Sequence, residues 1–390
     1  MSAMRHRNFR LFFVGQLISM TGTWMQQVAL SWLAYRLTGS AVLLGTVAFV
    51  GQLPVTVFST VGGTIADRYD RRKILYYTQF ASMLLAMALG ALTLTHSIQI
   101  WHLFLFSILL GLCNAFDIPA RQTFVSDMVD KEDLLNAIAL NASVFHGSRV
   151  IGPAIAGLLV AGVGEGWCFL LNGFSFVAVL AGLALMRLNI VIHPRTGSAW
   201  QSMLEGLRYV WREREIRHLM MLVAVVSFFA MPYIVLMPIV ADQVLHGGAK
   251  GMGILMGLSG AGSVVGALVL ASKKRAPQTV RRIIGLAAMG FGLSLVAFSF
   301  ARSFWIAGAL LVPAGFCMVS QMATSNTRVQ SMVPDRLRGR VMSVFGLMFM
   351  GIMPFGALLA GHVATWVGAP LTICGGGLVA VLAGLVFLQI

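Results

Sequence analysis

Residues 101–129 read WHLFLFSILLGLCNAFDIPARQTFVSDMV, and residues 305–333 read WIAGALLVPAGFCMVSQMATSNTRVQSMV. Laid over one another without a gap, they pair Trp101 with Trp305, Gly111 with Gly315, Cys113 with Cys317, Thr123 with Thr327 and Met128-Val129 with Met332-Val333. The same offset of 204 residues then pairs Phe145 with Phe349, Gly147 with Gly351, Gly152 with Gly356 and Ala156-Gly157 with Ala360-Gly361. Upstream it brings Ser59, Val61, Gly62 and Arg71 onto Ser263, Val265, Gly266 and Arg275. A register that stays constant through loops as well as helices implies a duplicated unit. Two parallel repeats in an apolar chain are the pattern of a transporter whose halves rock against each other.

Composition puts those repeats in a bilayer. The chain is 58% hydrophobic and 11% charged, with a mean hydropathy of +0.85, well outside the range of soluble domains. Twelve apolar stretches of about 20 residues, enough to cross about 30 Å of hydrocarbon, can be placed between residues 11–35 and 370–389. They lack the period-two alternation of barrel strands. The expected fold is therefore all-α and integral to the membrane, with two pseudo-symmetric six-helix bundles at 1–188 and 216–390. A linker at 189–215 joins them.

The net charge of +15 does not form a nucleic-acid patch. With the N-terminus inside, 24 of the 28 Lys and Arg fall at cytoplasmic ends or loops, three (Arg36, Lys250, Arg302) outside, and Arg149 within a helix. By the positive-inside rule both termini are expected in the cytoplasm. The linker holds Pro194, Arg195, Gly197 and Ser198, and from Ala199 to Arg214 apolar and charged residues alternate at helical spacing, so a short amphipathic helix on the membrane surface is expected. The four cysteines stand singly in apolar helices and suggest neither disulfides nor a metal site. No phosphate loop is present, so uphill transport would draw on an ion gradient, and neither cofactor nor enzymatic chemistry is expected.

Between the second and third helices stands Gly63-Thr64-Ile65-Ala66-Asp67-Arg68-Tyr69-Asp70-Arg71-Arg72-Lys73. Gly62 and Gly63 allow a neighbouring helix close approach. Asp67, set among Arg68, Arg71 and Arg72, can form an ion pair in one state and release it in another, as a cytoplasmic gate requires. The bases alone also read as positive-inside anchors. This string resembles the signature loop of the major facilitator superfamily, with Asp70 where the common form has a glycine. The second-half counterpart keeps bases at Lys273, Lys274 and Arg275 but has Ala271 at the aspartate position.

Arg149 through Gly157 contains Gly-Pro-x-x-x-Gly (Gly152, Pro153, Gly157), with Gly147 before it. The later repeat carries Gly351, Gly356 and Gly361. The first run looks like the antiporter signature of drug-exporting major facilitators, and the same glycines also read as simple packing. Asn8-Phe9-Arg10-Leu11-Phe12, Asn114 through Arg121 and Val333 through Ser343, with the bases Arg336, Arg338 and Arg340 that would serve the gate, sharpen the match. Together these segments resemble the drug:proton antiporter branch that includes the enterobactin exporter and macrolide efflux proteins. The resemblance implies export by proton antiport from the bacterial cytoplasmic (inner) membrane.

Ionisable groups at membrane depth are functional candidates by default. Asp117 lies about ten residues, roughly 15 Å, into helix four, and a cluster with Arg121, His146 and Arg149 on adjacent helices is feasible. The carboxylate would load a proton or a cationic substrate in turn. Asp117 and Arg121 at i,i+4 also read as a pair that neutralises itself. The repeat aligns Asp117 with Gln321 and Arg149 with Met353, which places any ion chemistry in the first half. Polar stripes Gln16, Ser19, Thr23 and Gln27 on helix one, Asn114 on helix four, and Gln321 with Thr324 on helix ten would line a substrate cavity.

The expected function is export of a hydrophobic or amphipathic small molecule of the drug or siderophore class, coupled to protons, by a monomer in the lipid bilayer without nucleic-acid partners. A lipid or lysophospholipid porter is the alternative in mechanism, and a non-transporting membrane sensor or scaffold the alternative in class.

Overall fold

The structure, a computed structural model, describes residues 2–186, 199–271 and 277–389, and its regular elements are all helical. Eleven helical segments among the described residues are long and apolar enough to cross a membrane. The exception is the first helix, α1 (Arg7–Thr38), whose 32 residues have ample length but carry Gln16, Ser19, Thr21, Thr23, Gln26 and Gln27 in their middle. With α1 counted, eleven plus one gives twelve. The expected bases Lys273, Lys274 and Arg275, and the linker residues Pro194, Arg195, Gly197 and Ser198, lie outside the described residues.

Contacts divide the chain into two compact units, Met1–Leu37 with Val50–Gly197, and Thr38–Phe49 with Ser198–Ile390. In the first unit α1 is followed by α2 (Ala41–Arg68) from Val50 onward, its first turns counting with the second unit, and then by α3 (Arg71–Leu94), α4 (Ile100–Phe124), α5 (Leu134–Val163) and α6 (Glu165–Leu185). Lipid is as apolar as leucine, so burial of greasy surface does not hold such helices together; close backbone approach does. Gly62 provides it, since a Cβ there would collide with the Ala115 carbonyl on α4, and Gly111 of α4 sits equally close to the Gly51 carbonyl on α2. At one end of this unit Phe9, Phe12, Leu75, Phe124 and Leu183 form a fully packed cluster, with the Phe12 and Phe124 rings edge to face at 5.9 Å.

The second unit repeats the scheme. An amphipathic helix, α7 (Ala199–Arg212), precedes α8 (Arg214–Val225), α9 (Tyr233–Ile239), α10 (Gly248–Ala271), α11 (Pro277–Phe300), α12 (Phe304–Met332), α13 (Asp335–Gly346), α14 (Met353–Val367) and α15 (Ala369–Gln389). Gly262 and Gly315 bring α10 and α12 together, as the Cβ of either would strike a backbone carbonyl of the other helix. Gly164 and Gly368, 204 residues apart, cap α5 and α14 with φ of +92° and +84°. That conformation is nearly confined to glycine, so the duplication extends to turn geometry.

The two halves differ in the continuity of their helices. α1 and α5 run unbroken, whereas their second-half equivalents are interrupted. Arg214–Val244 consists of α8 and α9 with π-helical turns at Val226–Ala230 and Val240–Val244, closed by i→i+5 bonds from Met231 N to Val226 O (3.1 Å) and Leu245 N to Val240 O (3.0 Å). Asp335–Val367 holds a third at Leu347–Gly351, between α13 and α14. Such turns insert a residue into the helical ladder and concentrate at functional positions.

Candidate functional site

Asp117 is buried toward the C-terminal end of α4, two turns before Phe124, with 4% of its surface exposed. Its Oδ1 accepts hydrogen bonds from Gln79 Nε2 at 2.7 Å and Thr78 Oγ1 at 3.1 Å, both on α3, and its Oδ2 lies 3.4 Å from Arg121 Nε one turn along α4. Arg121 Nη1 donates in turn to Gln16 Oε1 at 3.3 Å and approaches Met20 Sδ at 3.4 Å, both on α1. One carboxylate thus ties α3, α4 and α1 together through a charge-assisted network, the strong kind of hydrogen bond. Thr78 and Gln79 were not anticipated. The signal was available, since a buried carboxylate requires donors from neighbouring helices and Gln79 is a polar residue on a buried position of α3.

Of the four expected cluster members, the structure joins Asp117 and Arg121 in this network. His146 and Arg149 sit one turn apart on α5, where the Arg149 guanidinium lies 5.7 Å from the Trp24 ring centroid on α1 and Trp24 packs edge-on against Phe145 at 5.6 Å.

The polar stripe of α1 divides its tasks. Gln16 and Ser19 are buried. Gln26 accepts a 2.7 Å hydrogen bond from Asn172 on α6. Thr23 and Gln27 are exposed, as is Asn114 on α4, and the Thr23 hydroxyl donates back to the Ser19 carbonyl. On α12, Ser320, Gln321, Thr324 and Ser325 are all buried, and Ser320 Oγ, Gln321 Nε2, Thr324 Oγ1 and Ser325 Oγ have no hydrogen-bond partner among the described residues. Gln321 and Ser325 occupy the repeat positions of Asp117 and Arg121.

At the α2–α3 junction the hub is Arg71. Its Nη1 spans both oxygens of Asp127, at 2.8 and 2.9 Å, its Nε donates to the Ala66 carbonyl, and Asp67 stands further off at 3.9 Å. Asp127, in the short turn after α4, was not singled out in the sequence; a search for the counterion of this basic loop would have reached it. Asp70 caps α3, its Oδ1 accepting from the backbone N of Arg72 and Lys73. The departure from the family's glycine therefore stabilises the start of a helix. Arg72 caps the last turn of α6 through the Ala184 carbonyl, and Arg68 is exposed. Gly62 makes the close contact with α4; at Gly63 the nearest neighbour of a Cβ would be Pro119 at 4.0 Å.

In the second unit Arg338 pairs with Asp335 at 2.6 Å, Arg340 pairs with Glu205 on α7, and Arg336 is exposed. Gly152 abuts α1, where a Cβ would clash with Trp24 and the Thr21 carbonyl, while Gly147 faces open space and Pro153 and Gly157 are buried. Gly356 lies against the Phe228 carbonyl, Gly361 against Ala41 and Gly45 at the start of α2, and Gly351 is buried in its π-helical turn.

Two repeated helical units with a buried ionic network and glycine-mediated crossings define a membrane transporter of the major facilitator fold. Solved structures carry the same fold. A peptide-transporter (POT) family member bound to a thioalcohol-conjugated peptide superposes with a TM-score of 0.80 at 13% identity, covering 98% of this chain and 96% of that one. The nucleoside transporter NupG superposes at 0.77 and 10%, covering 98% and 99%. A family model, MFS_3, the transmembrane secretion effectors, matches residues 1–390, and the chain belongs to that family. Relatives include the staphyloferrin A transporter of Staphylococcus aureus, 28% identical over 90% of this chain and 88% of the relative. The multidrug efflux pump Tap of Mycolicibacterium fortuitum is 27% identical over 96% and 94%, and macrolide efflux protein A of Streptococcus pyogenes 24% over 93% and 92%. The chain is a multi-pass membrane transporter of small molecules, related to drug and siderophore efflux pumps, and not an enzyme.

Proposed function

We propose that this transporter exports a hydrophobic or amphipathic small molecule of the drug or siderophore class in exchange for protons, by alternating access, from a bacterial cytoplasmic membrane with both termini inside, working as a monomer. The relatives' named cargoes, a siderophore and macrolides among them, support that substrate class. The observation that carries the coupling is the Asp117 network. Ionised, the carboxylate accepts from Thr78 and Gln79 and neutralises Arg121. Protonated, it loses the charge that holds Arg121 and becomes a donor itself, so the cross-links among α1, α3 and α4 must rearrange. A two-state element of this kind couples proton occupancy to helix position. Ser320, Gln321, Thr324 and Ser325 supply hydrogen-bonding atoms for the cargo, whose polar groups gain most where a buried partner is otherwise unpaired.

The test is a substrate panel in cells lacking their own pumps, scoring resistance to macrolides and cationic drugs and release of iron chelates, with and without an uncoupler. Export of at least one class that collapses with the uncoupler supports the reading; export of a panel member that persists undiminished through uncoupling would refute proton antiport.

A further inference from the structure

α7 presents three stripes. Gly206 and Val210 are buried; Gly206 sits so close to α13 that a Cβ would strike the Arg340 carbonyl, and Glu205 pairs with Arg340 beside it. Leu204, Leu207 and Trp211, at i, i+3 and i+7, are exposed by 43, 42 and 62%. Arg208 and Arg212 form a third, exposed stripe beyond them. A helix docked on one side with an apolar stripe next to a basic one is built to lie in the plane of a membrane interface.

Where α7 meets α8, further cations gather. The Arg217 guanidinium lies 5.8 Å from the Trp211 ring centroid and donates to the Trp211 carbonyl at 2.9 Å, closing the end of α7. Arg281, at the start of α11, closes the end of α15 in the same way, through the Phe387 carbonyl at 3.3 Å. The charged neighbours bearing on His218, between them, are Arg217, Arg214 and Arg281, all cations. The carboxylates of this region are committed or solvated: Glu205 pairs with Arg340, Glu215 with Arg328, and Glu213 is exposed. Arg208, Arg212 and Arg214 make no ion pair or hydrogen bond with a described residue.

The geometry points to an anionic-phospholipid site at this corner: Trp211 and Leu207 enter the acyl boundary, and Arg208, Arg212, Arg214, Arg217 and Arg281 hold the phosphodiester headgroup. The uncompensated positive charge beside an exposed apolar stripe matches a lipid better than a free phosphate, which would have no use for the stripe. Basic pockets at helix ends are the usual setting for headgroup recognition. Arg217 and Arg281 already serve as helix caps, so their charge is fixed in place before a lipid arrives.

The experiment needs no transport, so its failure is separate from failure of the proposed export. Purified full-length protein is placed in detergent micelles with brominated phosphatidylglycerol or brominated phosphatidylcholine, and quenching of tryptophan fluorescence is read as the difference between the parent and Trp211→Phe. Phosphatidylglycerol should quench Trp211 at lower concentration, and Arg208→Gln/Arg212→Gln/Arg214→Gln, which touches only cations without a partner among the described residues, should lower that preference by about fivefold per arginine removed. The variant's thermal transition should match the parent's in phosphatidylcholine. Equal quenching by the two lipids, or a preference untouched in the triple variant, would overturn the assignment. Loss of the preference on adding millimolar inorganic phosphate at constant ionic strength would also overturn it, in favour of a phosphate site.

Discussion

Asp117 shows how much one residue carries and how little its sequence position reveals. Its depth and its i,i+4 relation to Arg121 are legible from spacing. Its donors Thr78 and Gln79 are not, because which face of α3 meets α4 depends on packing. Asp117→Ala should leave the half-buried Arg121 without its counterion and cost about 3 kcal/mol at most, read as a lower thermal transition in detergent. Asp117→Asn keeps an acceptor for Gln79 and should cost less. Asp67 illustrates the reverse. Its place among Arg68, Arg71 and Arg72 made it the centre of the expected gate, and Arg71 has its shorter ion pair with Asp127, 56 residues further along the chain, a partner that local pattern cannot disclose. With Tyr69→Cys as the reporter, Asp127→Asn should therefore raise labelling of the α2–α3 junction by cysteine reagents more than Asp67→Asn does; equal labelling of the two variants would refute that ranking. At the N-terminus, hydrogen bonds from the Ser2 hydroxyl and the His6 ring hold the Asp133 carboxyl below its ordinary range, with His6 Nε2 at 2.8 Å. A depressed carboxylate stabilises the folded tether above its unfolded value of about 4, and that contribution is lost as pH falls through the folded value. Asp133→Asn should mimic the acid state at neutral pH, seen as faster tryptic cleavage after Arg5 and Arg7.

At the scale of elements, the close crossings of α2 with α4 and α10 with α12 rest on glycines that the repeat already marks. The sequence treated Gly62 and Gly63 alike, whereas only the first meets a backbone carbonyl. Gly63→Ala should be nearly neutral, and Gly62→Leu should cost 3 kcal/mol or more, about the upper end for overpacking, with a matching loss of folded protein in the membrane. The π-helical turns were not legible, because a single inserted residue leaves the apolar pattern of a spanning helix intact. A ladder interrupted in this way opens more readily. Amides of Val226–Ala230 and Leu347–Gly351 should exchange faster than those in the centres of α1 and α5, measured by hydrogen exchange in micelles.

For the whole molecule, the offset of 204 residues foretold a duplicated helical architecture, because glycines and turns at fixed spacing constrain the backbone wherever they recur. It could not foretell that the first half keeps Asp117 with Arg121 while the second sets Gln321 and Ser325 at the same positions, nor what that asymmetry does for transport. In the proposed mechanism Asp117 is the group that converts a proton gradient into export. The most direct measurement is pH-driven accumulation in everted membrane vesicles of a fluorescent cationic dye, a macrolide and a carboxylate siderophore, by the parent and by Asp117→Asn at matched protein levels. The parent should accumulate at least one of them until an uncoupler is added, and Asp117→Asn should exchange that substrate down its gradient without accumulating it. Full pH-driven accumulation by Asp117→Asn would contradict the account.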